Sequence, residues 1–199
     1  MRATTPGTSD ARRVVVGASL AFAALLTLGA WLLLWARGET LPSVFDSGQR
    51  GQRVLVGASI GALAASVCAL VVRRARGFAR LRALAQHAVE GIEPRWHTVL
   101  IVALAAGFSE ELFFRGALEP AIGRWFASLA FIALHGAHRL RDPGTGALAA
   151  FLFGASVGLS ALNAWKGLEA AMAAHAAYDL TMLAWLARAS SRSVAARGI

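Results

Sequence analysis

The stretch Gly107-Phe108-Ser109-Glu110-Glu111-Leu112-Phe113-Phe114-Arg115-Gly116 places two carboxylates and a guanidinium inside an otherwise apolar run. Ionisable groups at membrane depth are expensive, so they are retained where they face a protein interior and take part in function. The stretch therefore reads both as part of a membrane span and as a site.

The surrounding composition supports the first half of that reading. Of 199 residues, 57% are hydrophobic and only 16% charged, too apolar for a soluble domain, and the mean hydropathy is +0.56. Twenty glycines and abundant alanine suit membrane helices, whose backbones must approach closely because lipid supplies no hydrophobic drive for association. Spans of about 20 residues with short connections fill a chain of this length as one compact bundle. The expected fold class is all-α, a polytopic transmembrane helical bundle of about six spans.

The formal net charge of +9 does not point to nucleic acid, because the arginines fall between the apolar runs and form no basic tail. They read as topology signals and lipid-headgroup contacts. The single cysteine, Cys68, lies mid-span and reads as a small buried side chain.

The first apolar run, Val14 to Ala36, follows a polar segment with Arg2, Arg12 and Arg13. It is too long for a signal-peptide core and reads as an uncleaved span. Residues 37–53 read as a loop and Val54 to Val72 as the second span. From Arg73 to Leu84, arginines alternate with Phe78, Leu81 and Leu84 at helical spacing, which fits either an interfacial amphipathic helix or a solvated basic loop. The third span starts at Trp96, contains the opening stretch and ends near Leu118, before Glu119-Pro120. The fourth is expected from Trp125 to Ala137 or His138, with a turn over Arg139 to Gly146. The fifth runs from Ala147 to Trp165 and the sixth from Leu168 to Ala187, followed by a polar tail. The chain thus divides into residues 1–95, with two spans and a basic interfacial segment, and residues 96–199, with the polar intramembrane residues.

Six spans put both termini on one side. That side carries Arg2, Arg12 and Arg13, the six arginines of residues 73–95, Arg139, Arg141, and Arg188, Arg192 and Arg197; the other carries Arg37, Arg50, Arg53, Arg124 and Lys166. Cytoplasmic loops are enriched in Lys and Arg, so both termini are expected in the cytoplasm.

The candidate site residues are Glu110, Glu111, Arg115, His135, His175 and Asp179. Glu111 and Arg115 stand four apart and pair on one helix face, while Glu110 is turned about 100° away and stays available. Phe131 with His135, and His175 with Asp179, share faces in the same way. A carboxylate and two imidazoles converging in a dry cavity suit general-base activation of water and stabilisation of an oxyanion. Glu110, His135 and His175 also form a two-histidine, one-carboxylate set of the kind that holds a catalytic divalent metal such as zinc. Each residue has a plainer reading as well: a structural ion pair for Glu111 and Arg115, a packed histidine bonded to a carbonyl for His135, an interhelical hydrogen-bond pair for His175 and Asp179. Asn163 reads as a capping residue or a cavity-lining one. His87, His97 and His138 lie outside the apolar runs or at their edges.

Taken in order, Glu110-Glu111-x-x-x-Arg115, Phe131-x-x-x-His135 and His175-x-x-x-Asp179 resemble the three-motif signature of the CPBP family, the CAAX proteases and bacteriocin-processing enzymes, over residues 96–187. The resemblance implies an intramembrane peptidase, possible metalloprotease chemistry included, in which Glu110 and His135 activate water, His175 and Asp179 bind the oxyanion, and Glu111 and Arg115 support Glu110. The family commonly has Asn where Asp179 stands, and an ionised Asp cannot donate to an oxyanion. Asp179 must then be protonated, orient His175 or ligate a metal. The implied partners are membrane lipids and a peptide or membrane-anchored protein substrate, in a bacterial inner membrane, with the site opening toward the extracytoplasmic side. A non-catalytic immunity-type membrane protein and a small proton-coupled transporter are the alternatives from other classes.

Overall fold

The computed structural model describes residues 6–45, 48–74, 96–135 and 143–196. These residues form helices joined by short turns, with no strand among them. Helix α1 spans Pro6–Ala36, a 3-10 turn Leu41–Val44, and α2 Arg50–Arg74. Helix α3, Trp96–Glu111, passes directly into a π-helical segment, Leu112–Leu118, and a last short turn α4, Glu119–Ile122. Then come α5, Arg124–Leu134, α6, Pro143–Lys166, and α7, Leu168–Ala196.

The six expected spans correspond to six helical rods, of which four are long and apolar enough to cross a membrane: Arg13–Ala36, Arg50–Arg74, Trp96–Ile122 and Leu148–Lys166. The chain is an integral membrane protein by this measure. The expected fourth span is shorter than the sequence suggested, an 11-residue apolar helix. At 1.5 Å per residue it rises about 16 Å, half of a hydrocarbon core of about 30 Å. Helix α7 is 29 residues long but carries Glu169, His175 and Asp179, which lower its hydropathy while facing other helices.

Helix α1 starts earlier than expected, at Pro6, α2 starts at Arg50 inside the expected loop, and α7 continues through the expected tail to Ala196; two further boundaries differ for local reasons. The third rod does not stop before Glu119-Pro120. Pro120 stands in the first turn of α4, where its missing N–H leaves no bond unmade, and the helix ends instead at Gly123 with φ 84°. That left-handed conformation suits glycine and turns the chain into α5. Residues 143–146 belong to the start of α6 rather than to a turn, with Pro143 at its first position. The basic segment from 75 to 95, His87, His138, the remainder of that turn and the last three residues lie outside the described residues.

Helix α7 is central, packed against α2 and α3. Small residues permit this: Gly57 and Gly61 of α2 lie against the backbone of Ala170 and Ala174, and Gly107 of α3 lies against Ala176 and Met172. At one end of the bundle, Ala30, Leu34, Leu112, Ala117 and Leu168 form a buried cluster joining α1, the π segment and α7. Arg37 closes the same end by donating to the carbonyl of Ala117 at 2.9 Å and pairing with Glu39. Leu112 is fully buried there. Leu112→Ala should destabilise the protein by about 2 kcal/mol, the low end for such a change because lipid contributes no transfer term, and should lower the thermal midpoint in detergent.

Candidate active site

The last turn of α3 and the π segment that follows it place three charges next to one another below the bundle surface. Glu111 is completely buried and Arg115 almost so. The Arg115 Nη1 group donates to Glu111 Oε1 at 2.9 Å, and Nη2 donates to both the carbonyl and the hydroxyl of Ser156 on α6, each at 2.9 Å. Ser156 in turn donates to Ser128 on α5 at 3.1 Å. The guanidinium also stands 5.0 Å from the centre of the Phe131 ring, within cation–π range. Short π-helical turns inside α-helices recur at functional sites because they redirect side chains without ending the helix. Here the π turn starts directly after Glu111 and carries Arg115.

Glu111 has a second partner. Its Oε1 accepts a 2.7 Å hydrogen bond from Nδ1 of His175 on α7. A carboxylate bonded to a guanidinium is an acceptor, so the Nδ1 atom of His175 carries the hydrogen and, in the neutral ring, Nε2 holds a lone pair. His135 is fixed in the same sense. It caps α5, with Nδ1 2.8 Å from the carbonyl of Phe131, which can only accept. Its ring stacks on Phe131 with centres 4.3 Å apart.

Both Nε2 atoms then face Glu110. The distances to its Oε2 are 3.5 Å from His135 and 4.0 Å from His175. Asp179 completes the group, with Oδ2 3.6 Å from His175 Nε2. Glu110 Oε2 is buried and has no hydrogen-bond partner of its own. With neutral rings and ionised carboxylates these are all acceptors facing one another, and at these distances they call for donors between them, either added protons or water O–H groups.

The site has a closed floor and an open side. Glu110 and His175 side chains are 8% and 10% exposed, whereas those of His135 and Asp179 are each 31% exposed. Access therefore comes past the end of α5 and the outer face of α7. Counted from the helix starts, His135 is 11 residues from Arg124 and Asp179 is 11 from Leu168. Each lies about 16 Å along its helix.

All six predicted site residues thus meet in one place. Glu111, expected to support Glu110 together with Arg115, also orients His175, while Asp179 sits on the opposite, Nε2 side of that ring. The plain reading of His135 as a histidine bonded to a carbonyl holds through Nδ1, and Nε2 remains for the site. Among the described residues no group of three His, Cys, Asp or Glu side chains is arranged to hold a metal ion.

Sequence reasoning missed the serines. Ser128 and Ser156 are buried and anchor Arg115, and their only signal was a hydroxyl amid apolar residues. A second polar group was also missed: Ser160, one turn after Ser156, donates to Glu119 at 2.5 Å and accepts from Arg124 Nε at 2.7 Å. Asn163 contributes its backbone carbonyl, which accepts from Gly167 N–H at 2.8 Å and caps α6.

A carboxylate and two imidazoles thus converge beside a buried ion pair within a bundle of apolar helices. Residues 92–181 match the family model described as type II CAAX prenyl endopeptidase Rce1-like. The match takes in every one of the six site residues and leaves α1 and α2 outside it. Comparison with curated proteins and with solved structures gives no match.

Removing the guanidinium leaves the buried Glu111 carboxylate without its cation and with the His175 N–H as its remaining hydrogen-bond donor, a change that costs about 3–5 kcal/mol. Arg115→Met should therefore abolish accumulation of folded protein in membranes. Adding Glu111→Gln to it should restore most of the folded yield, measured by size-exclusion chromatography in detergent.

Proposed function

We propose that the protein is an intramembrane endopeptidase that hydrolyses a peptide bond in a membrane-associated substrate, using water activated by Glu110 and His135. The observation that carries this reading is the convergence of two imidazole Nε2 atoms on the unpartnered carboxylate oxygen of Glu110. The match of residues 92–181 to the type II CAAX prenyl endopeptidase Rce1-like family model supports it.

In the proposed reaction, water bound at Glu110 Oε2 and His135 Nε2 attacks the carbonyl carbon of the scissile bond. Its proton passes to Glu110 and from there to the leaving amine, so the carboxylate is regenerated. The substrate oxygen becomes an oxyanion beside His175 Nε2 and Asp179. Neither donates in its fully deprotonated form, because Nδ1 of His175 is committed to Glu111. One proton, carried by either Nε2 or Oδ2, which stand 3.6 Å apart, supplies the donor. This answers the difficulty raised by a carboxylate where the family commonly has an amide: Asp179 works as half of a protonated pair.

The substrate is proposed to be a peptide or membrane-anchored protein, such as a C-terminal anchor or sorting segment, in a bacterial inner membrane. With both termini cytoplasmic, His175 lies about 10 Å from the extracytoplasmic end of α7, and the site is reached from that side. Cysteine labelling should find residues 119–124 accessible from outside the cell; labelling only from the cytoplasm would reverse the orientation.

Glu110→Gln should lower cleavage of a reporter substrate by about 10²–10⁴-fold, the usual contribution of a general base, with insertion and yield unchanged. Full biological activity in that variant would remove the enzyme reading in favour of a non-catalytic one. Asp179→Asn should keep most activity because an amide donates without a shared proton. Asp179→Ala should lose about 100-fold, the effect of deleting an oxyanion donor. Metal analysis of the purified active protein tests the protein-only chemistry directly.

A further inference from the structure

We infer that α2, which lies outside the family-matched segment, is part of the catalytic apparatus: Gly61, with Gly57, is a positioning residue that sets the depth and rotation of His175. The inference rests on the endopeptidase reading for its kinetic consequence, but its geometric content stands apart from that reading.

Helix α2 meets α7 along one line. At the rim, Arg53 and Arg50 of α2 lie 3.8 Å and 3.7 Å from the two carboxylate oxygens of Glu169, in the first turn of α7. One turn along, a Cβ placed on Gly57 would stand 2.1 Å from the carbonyl oxygen of Ala170; a further turn along, a Cβ on Gly61 would stand 2.0 Å from that of Ala174. Both lie far inside ordinary van der Waals contact, which begins at 3.4 Å. The obstruction in each case is backbone, which cannot swing aside as a side chain can. A methyl group at either position therefore moves the helix itself.

His175 is the next residue after Ala174. On the other side of it, Ala176 is seated against Gly107 of α3, whose own Cβ would stand 2.7 Å from the Ala176 nitrogen. The residue that faces Glu111 and Glu110 is thus flanked by two backbone seats, one on each neighbouring helix. Gly107 belongs to the helix that carries both glutamates, so it fixes His175 relative to its partners directly. Gly61 lets α2 and α7 meet at Ala174, the residue before His175. A methyl group there shifts α7, and with it the 2.7 Å bond from His175 to Glu111 and the place of Nε2 beside the Glu110 carboxylate. Displacements of about 1 Å in a catalytic group cost about 100-fold in rate.

The test uses the full chain in lipid nanodiscs. Gly61→Ala should lower kcat about 100-fold while KM changes by less than about threefold, because the substrate-facing surface past α5 is untouched. Gly158→Ala, on α6 and with open space around it, should leave both unchanged. NMR of protein carrying ¹⁵N-labelled histidine gives a readout independent of cleavage. The hydrogen-bonded Nδ1 proton of His175 should shift or vanish in Gly61→Ala and stay in place in Gly158→Ala.

Full activity in Gly61→Ala, or lost activity with the His175 resonance unmoved, overturns the inference. A moved resonance in a protein whose wild type cleaves no substrate upholds the seat and overturns the endopeptidase reading instead. Should Gly61→Ala fail to accumulate, Gly57→Ala applies the same push one turn farther from His175. It should move the same resonance with a smaller fall in kcat, and an unmoved resonance there overturns the inference equally.

Discussion

The structure depends on one buried ion pair. Glu111 and Arg115 are almost wholly removed from solvent, and a pair in that position depends on further hydrogen bonds to each partner. Two elements supply them: Ser156 of α6 takes the far end of the guanidinium, and His175 of α7 bonds Oε1 of the carboxylate. Two helices distant in sequence are thereby tied to a single point on a third. The requirement for satisfaction inside the bilayer, where no water can substitute, turns a local electrostatic need into a global constraint on packing.

The same bonds leave Glu110 unpaired. Because Glu111 has absorbed the cation and the Nδ1 hydrogen of His175, nothing remains to neutralise its neighbour except the two Nε2 atoms facing it. Adjacent, chemically identical residues thus receive different environments, one bonded to a guanidinium and an imidazole and one not, through the rotation of about 100° between successive helix positions. The π turn starting directly after the pair lets the helix carry Arg115 toward α6 without breaking.

Much of this was legible in the residues. Charges isolated in apolar runs marked the membrane helices and the site together, and spacings of four placed Glu111 with Arg115 and His175 with Asp179 on common faces. The shortness of α5 was less legible, since an apolar run says little about where a helix ends inside it. Ser128 and Ser156 were invisible for a related reason: a serine in a membrane helix commonly bonds its own backbone, as Ser59 and Ser66 do with Leu55 and Ala62. Pattern alone does not tell which serine reaches another helix. The second role of Glu111 also lay beyond spacing, because it joins residues 64 positions apart.

The central place of α7 has a consequence for how the molecule is made. Chains are synthesised from the N-terminus, so Glu110 and Glu111 enter the bilayer while His175 and Asp179 are still in the ribosome or unmade. During that interval the carboxylates lack the imidazole of His175, and Gly57, Gly61 and Gly107 lack the helix they pack against. Insertion of α7 both completes the packing and assembles the cluster. Folding and assembly of the proposed site are then a single event.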